Sequence, residues 1–372
     1  MTTQRPTAVF RADASIDLGG GHVMRCLTLA GAFADEGWHV GFAVNAEALS
    51  VVPSLTETVV SILVLDEVDE VTALRERWPD GVALLIVDHY GLDSEFEQRC
   101  RPWAATILAI DDLANRRHRA DLLLDQTHGR EEACYRDLTG PDCTLLLGAR
   151  FALLRPQFQA HRRRALGRRE STAPAERLLI SFGATDPAGI AATAMRAVAR
   201  ACPDLSVDVV AGATSHYLDE IRRLAAALSP AVTVHGAVDD IASLMADADF
   251  VIGACGGTSW ERCCLGLPTL AVVTADNQRQ IARALAAAGA IELVGNAGEV
   301  TVDTFAARVA ALRDDAARRR AMARAAAAIC DGNGAARVTE VLLRETMAGG
   351  PGAYLLYGGS SRRITIPVEK DG

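Results

Sequence analysis

A chain of 372 residues exceeds one ordinary domain and suits two, each large enough to bury a core of its own. With 50% hydrophobic residues, 23% charged residues and 31 glycines it reads as a folded α/β protein, not a disordered one, and a net charge of -9 argues against a general nucleic-acid binder. No apolar run approaches the roughly 20 residues of a membrane span, and Met1-Thr2-Thr3-Gln4-Arg5-Pro6 lacks a signal-peptide core, so a cytoplasmic protein without membrane contact is expected.

The first signal along the chain is Gly19-Gly20-Gly21-His22, with Arg25 one turn further on. It follows the extended apolar start Ala8-Val9-Phe10 and opens an amphipathic run, so it reads as strand, glycine loop and helix N-terminus. Glycines let the backbone approach a ligand closely, and the first free N–H groups of the helix then face it; a phosphate is the natural occupant. His22 falls near the first helical position, where the positive end of the helix dipole disfavours imidazolium. A neutral histidine beside a phosphate can serve as a general base, although a tight turn with a structural histidine gives the same pattern.

The helix is predicted from about His22 to Glu36, with Val23, Leu27, Ala30 and Ala34 at helical spacing and Gly37 as C-cap. Val40 to Val44 reads as a second strand, completing a βαβ unit. Val82 to Val87 is an unbroken apolar run of the kind a parallel strand buried on both faces requires, and it ends in Asp88-His89-Tyr90-Gly91. Polar residues there lie where open α/β sheets bind ligands. Strands are also predicted at Thr106 to Ile110, ending in Asp111-Asp112, and at Leu122 to Leu124, ending in Asp125-Gln126.

These aspartates, with His89, His118 and His128, raise the question of a metal hydrolase. No HExxH or comparable ligand spacing is present, and acids after strands commonly cap helices. Asp247-Ala248-Asp249 has the short DxD pattern of metal-dependent glycosyltransferases, a pattern that arises often by chance. Nine cysteines without CxxC spacing read as reduced, mostly buried thiols; Cys255, Cys263 and Cys264 are their nearest approach to a cluster.

Between about Arg155 and Glu176, Arg162, Arg163, Arg164, Arg168 and Arg169 crowd a polar stretch ending in Ser171-Thr172-Ala173-Pro174, which reads as a solvated linker helix, with contact of some of these arginines to an anionic partner as the alternative. The pattern then restarts. Arg177 to Phe182 is a strand, Gly183-Ala184-Thr185-Asp186 a small-residue loop, and Ala191 to Ala201 a helix. Strands at Val207 to Val210 and Val232 to Val234, and a helix through Ile241 to Met245, lead to the strand Phe250-Val251-Ile252. The next loop, Gly253 to Ser259, opens a helix carrying Glu261, whose carboxylate is placed to accept from ribose hydroxyls; with Thr258 it also has capping-box spacing. Leu270 to Val273 is a further strand, ending in Asp276-Asn277-Gln278 before a long alanine-rich helix.

Two βα-repeating halves imply paired Rossmann-like α/β domains facing a central cleft: residues 1–160 with the glycine loop, residues 177–347 as the nucleotide-binding half, and a tail at 348–372. Neither GxGxxG followed by an acid nor GxxxxGK[ST] is present, so neither a dinucleotide site nor a P-loop is indicated.

Six stretches carry a family resemblance: Phe10-Arg11-Ala12-Asp13, Gly19 to Arg25, Val87 to Gly91, Gly148-Ala149-Arg150-Phe151-Ala152-Leu153-Leu154-Arg155, Gly183 to Asp186, and Asp276-Asn277-Gln278. In this order they resemble the UDP-2,4-diacetamido-2,4,6-trideoxy-β-L-altropyranose hydrolases of pseudaminic acid biosynthesis. The resemblance implies the glycosyltransferase-B architecture, shared with the peptidoglycan N-acetylglucosaminyltransferase, and cleavage of a UDP-sugar by water at C1. His22 would be the general base, with Tyr90 and Asn277 at the sugar. Gly19, Gly20, Gly21, Arg25, Phe151, Gly183, Thr258, Glu261 and Gln278 would line the UDP-sugar site. With no metal-ligand spacing found, a monomer acting on a small UDP-sugar with no metal or other cofactor is expected; a UDP-sugar-dependent glycosyltransferase is the alternative.

Overall fold

The computed structural model describes residues 5–58, 61–65, 69–183, 186, 188–212, 215–228, 231–236, 238 and 240–348. The tail expected at 348–372 lies, apart from the backbone of its first residue, outside them. Two wholly parallel sheets account for all the named strands. The first contains β1 (Thr7–Ala12), β2 (His39–Val44), β3 (Ser61–Val64), β4 (Val82–Asp88), β5 (Ala104–Ile110), β6 (Leu122–Asp125) and β7 (Thr144–Leu147), in the order β3-β2-β1-β4-β5-β6-β7. The second contains β8 (Arg177–Ser181), β9 (Ser206–Val210), β10 (Val232–His235), β11 (Phe250–Ala254), β12 (Thr269–Val273) and β13 (Ile291–Asn296), in the order β10-β9-β8-β11-β12-β13. Each order reverses once, between β1 and β4 and between β8 and β11, and ligands of open α/β sheets bind beyond the carboxyl ends at such reversals. The expected loops after β1, β4, β8 and β11 are the loops at these two points.

Burial on both faces explains the unbroken apolar runs. Along β1, Ala8 and Phe10 pack with Leu29 and Phe33 of helix Gly21–Asp35, while Val9 faces Leu74, Leu85 and Trp103 on the other side. Phe10 stacks on Phe42 of β2 with ring centroids 4.9 Å apart. In the second sheet Leu178, Ile180 and Ile252 share one core, and Leu179, Val251 and Trp260 the other. Helix Gly21–Asp35 ends where Gly37, at φ 82°, turns the chain; Gly37 N–H donates to Ala34 O and Trp38 N–H to Phe33 O, a Schellman closure that only glycine adopts without strain.

Two expectations change. Helix Pro156–Arg169 is a packed strut, not a solvated linker: Phe158, Ala165 and Arg169 are buried, and Arg162 donates to Cys264 O, Ala327 O and Cys330 O. Guanidiniums there satisfy carbonyls at helix ends, which a count of charges along the sequence cannot reveal. At the other end, Val338 and Leu342 of helix Gly334–Ala348 join the core of the first sheet. The last part of the range expected for the second half therefore packs on the first.

Candidate active site

The loop from Asp13 to Gly20 is tied down before it reaches the helix. Asp13 accepts from Asn45 N–H and lies 3.1 Å from His89 Nε2, and Asn45 bonds both backbone groups of Ala14. Gly19 has φ 77°, and a Cβ on Gly20 would stand 2.8 Å from Val52 Cγ2, so both positions require glycine. Helix Gly21–Asp35 begins with no side-chain cap and no acid in its first turn. Its leading amides and positive dipole end are left for a ligand, as an anion site needs.

His22, in the first turn, is 7% exposed. Its Nδ1 lies 2.6 Å from Oδ1 of Asp88, a fully buried carboxylate at the end of β4, next to β1 across the reversal. Burial alone would push Asp88 upward, but the Arg25 guanidinium and His22 overcome it and hold the carboxyl well below the usual range. An ionised Asp88 takes the Nδ1 proton in a hydrogen bond, which leaves Nε2 as the basic nitrogen.

Arg25 was expected to line the UDP-sugar site; in the structure its side chain bonds two carboxylates. Nε and Nη2 bond both oxygens of Asp88, at 2.5 and 2.6 Å, and Nη1 bonds Asp112 Oδ2 at 3.2 Å. One helical turn from His22, it is the clamp that fixes Asp88. Tyr90, two residues beyond Asp88, sets its ring edge-on to His22, with centroids 4.6 Å apart at 85°. Its hydroxyl accepts from Asn277 Nδ2 at 3.1 Å and donates toward Asp112 Oδ2 at 3.5 Å. Burial and the Asp112 charge raise the phenol above its ordinary range. His22, Tyr90 and Asn277 thus meet in one cluster that bridges the two sheets.

On the second sheet, Gln278 uses its side-chain carbonyl to accept from Cys255 N–H, Thr274 N–H and the Thr274 hydroxyl. It pins the loops after β11 and β12 and so places Asn277. Glu261 stands 3.7 Å from Arg155 Nη2, and burial raises its carboxyl despite that neighbour. The capping box with Thr258 does not form: the cap of helix Thr258–Cys264 is Gly257, and no side chain bonds it. Gly183 has φ 88°; residues 184–185 of its loop lie outside the described residues. Phe151 is corrected from substrate contact to core: it is 5% exposed, packs in the first core and carries the Arg150 guanidinium over its ring.

Other acids have structural partners. Asp111 accepts from Leu113 and Ala114 N–H and pairs with Arg116; Asp125 pairs with Arg130 and accepts from Tyr135. His118 sits between Glu97 and Asp111. Asp247 and Asp249 pair with Arg164 and Arg168, and Asp249 caps the start of β8 through Glu176 and Arg177 N–H, at the sheet end opposite the cleft. Among the described residues no group of three or more His, Cys, Asp or Glu is placed to hold a metal ion, and no helix is long and apolar enough to cross a membrane.

Sequence reasoning named Asp88, Asp112 and Asp186 at strand ends and in loops but gave them no role in the site. Asp88 was visible as an acid ending a buried strand, but its partner lies 66 positions away. Asp186 caps helix Ile190–Ala201 by accepting from Ile190 and Ala191 N–H; burial pushes it up to about 6 in spite of these donors.

Fold and site together define a two-domain α/β protein of glycosyltransferase-B architecture. Among solved structures the chain is similar to Acinetobacter baumannii MurG (TM-score 0.66, 15% identity, 91% of this chain and 100% of that one). It is also similar to the calicheamicin glycosyltransferase CalG4 (0.61, 14%, 93% and 99%) and to the UDP-GlcNAc 2-epimerase of Neisseria meningitidis (0.61, 13%, 91% and 100%). In sequence it is 24% identical over 273 residues to an uncharacterized protein of Methanocaldococcus jannaschii, covering 72% of this chain and 56% of that protein. It is 28% identical over 151 residues to the UDP-2,4-diacetamido-2,4,6-trideoxy-beta-L-altropyranose hydrolase of Campylobacter jejuni, covering 40% and 52%. The match to the Bacillus subtilis spore coat polysaccharide biosynthesis protein SpsG, 23% over 337 residues, covers 89% and 96%. The chain thus spans about half the length of the first two relatives and nearly all of the third. No protein-family model matches it.

Proposed function

We propose that the protein is an enzyme acting on a nucleotide sugar, and specifically that it hydrolyses a UDP-linked amino-deoxy sugar by attack of water at C1. The observation that carries this reading is the Asp88-His22 pair at an uncapped helix start, facing the Tyr90-Asn277 bridge across the cleft. The named hydrolase among the relatives supports it.

In the reaction, Nε2 of His22 takes a proton from water as its oxygen bonds to C1, and the C1–O bond breaks with its electrons leaving on the diphosphate. Asp88 keeps the imidazole in the required tautomer and steadies the imidazolium that forms. The leading amides of helix Gly21–Asp35 hold the leaving phosphate, and Tyr90 and Asn277 orient sugar and water. Glu261 takes ribose hydroxyls.

An acceptor hydroxyl in place of water would make the same site a glycosyltransferase, a reading favoured by the likeness in fold to CalG4. Incubation with candidate UDP-sugars, with and without acceptor, separates the two. Free sugar and UDP without acceptor mean hydrolase; turnover only with acceptor means transferase; a new UDP-sugar without UDP release overturns both.

A further inference from the structure

A second cluster of charge lies at the opposite end of the second sheet. Arg168 and Arg169, at the end of helix Pro156–Arg169, and Arg319, in helix Ala316–Ile329, line one small cleft open to solvent with Ser171, Asp249 and Pro268. Asp249 and Pro268 precede β11 and β12, so the cleft opens at the amino ends of these strands, away from His22.

Its charges do not balance. Arg169 and Arg319 are each 7% exposed, and among the described residues no carboxylate oxygen lies within ion-pair distance of either. Arg169 donates to Met245 O at 2.8 Å, Gly266 O at 3.2 Å and Ala248 O; Arg319 donates to Leu312 O at 2.6 Å, Ala173 O at 2.5 Å and Arg313 O. Those bonds use three of the five N–H groups of each guanidinium. The single acid, Asp249, is committed to Arg168 at 2.9 Å and to the N–H groups of Glu176 and Arg177. Helix carbonyl ends supply partial negative charge, about half a unit per terminus, which offsets only part of the excess. Burial pushes Arg169 down to about 10, against the weaker pull of the Asp249 and Asp247 charges.

We infer that this cleft is an anion-binding site for a phosphoryl group, separate from the nucleotide-sugar site. The spare N–H groups of Arg169 and Arg319 and the exposed Arg168 offer the charge-assisted donors a tetrahedral oxyanion takes. Two sources share that chemistry, inorganic phosphate and the phosphate of a small monoester.

The test is calorimetric titration of the full chain, with saturating UDP present and ionic strength held by chloride, using inorganic phosphate and glycerol phosphate in separate runs. Saturable binding of one or both is expected, the tighter ligand identifying the source. Arg168→Ala and Ser171→Glu, at exposed positions, should each weaken it at least about tenfold, the worth of one charged hydrogen bond or one repelling charge. Circular dichroism checks that both variants fold. No saturable binding up to about 20 mM, four decades weaker than a typical micromolar site, or binding unchanged in both variants, would overturn the inference.

Discussion

His22 and Asp88 lie 66 positions apart in the chain, yet Nδ1 of the one is 2.6 Å from Oδ1 of the other because β1 and β4 are neighbours. The pairing makes the histidine's role depend on a buried carboxylate that Arg25 holds in place. His22→Ala should then lower kcat by about 10²- to 10⁴-fold, the range of general-base catalysis, while UDP affinity stays within about tenfold because amides hold the diphosphate. Turnover and UDP calorimetry on the variant check both halves. Joint loss of binding and turnover would make His22 structural.

Asp88→Asn should cost nearly as much in kcat, since an amide at this position can present N–H to Nδ1 and reverse the tautomer. It should also destabilise the fold, by about 3–5 kcal/mol, because Arg25 is left buried beside a neutral group. Denaturant melts and kcat measured on the same sample are the readouts. A variant with wild-type kcat would detach Asp88 from the chemistry.

Tyr90→Phe keeps the ring against His22 and removes only the hydroxyl that Asn277 reaches. If the two side chains act as a unit across the cleft, Tyr90→Phe and Asn277→Ala should each lower kcat/KM, and the double variant should lose less than the product of the two. A coupling of about 0.5–3 kcal/mol is expected for contacting residues. Strict additivity would mean that the bridge plays no part in turnover.

How much of this was legible in the sequence depended on burial. Central strands such as Val82–Asp88 are buried on both faces and announce themselves as apolar runs. The edge strands Ser61–Val64, Thr144–Leu147 and Ile291–Asn296 are largely half-buried and were missed, although Ile62 to Val64 and Leu145 to Leu147 are apolar runs as long as the one read at Leu122 to Leu124. The glycine loop and His22 were readable because φ and close approach restrict the residue type locally. The partners of Arg25 were hidden for the opposite reason: Asp88, at the end of one strand, and Asp112, just past the end of another, lie 63 and 87 positions away, and only the sheet order brings them together. Phe151 was misassigned because a motif records that a residue matters without saying whether it faces ligand or core.

Asp186 gives a pH test. Its carboxyl, raised to about 6 by burial, binds a proton in the folded state that the unfolded chain, near 3.8, has released. The native state therefore holds more protons between these values, and stability falls as pH rises through the window, by up to about 3 kcal/mol. Asp186→Asn keeps a capping oxygen and removes the titration. Denaturant melts from pH 4 to 7 should show a flatter profile in the variant and a gain at pH 7; parallel profiles would remove Asp186 as the cause.

The stereochemical prediction tests the mechanism most directly. One base, His22, stands at the helix start; the neighbouring Tyr90 and Asn277 are a raised phenol and an amide, neither suited to form a covalent glycosyl intermediate, and the carboxylates of Asp88 and Asp112 are held by the Arg25 guanidinium. A single displacement follows, with water entering C1 opposite the departing UDP and the anomeric configuration inverted. In water labelled with heavy oxygen the label should enter the sugar and not UDP, and NMR recorded before mutarotation should show the inverted anomer first. Retention would call for a nucleophile that this cluster does not supply, and label in the UDP phosphate would mean attack at phosphorus, which would take from His22 the role of activating water against C1.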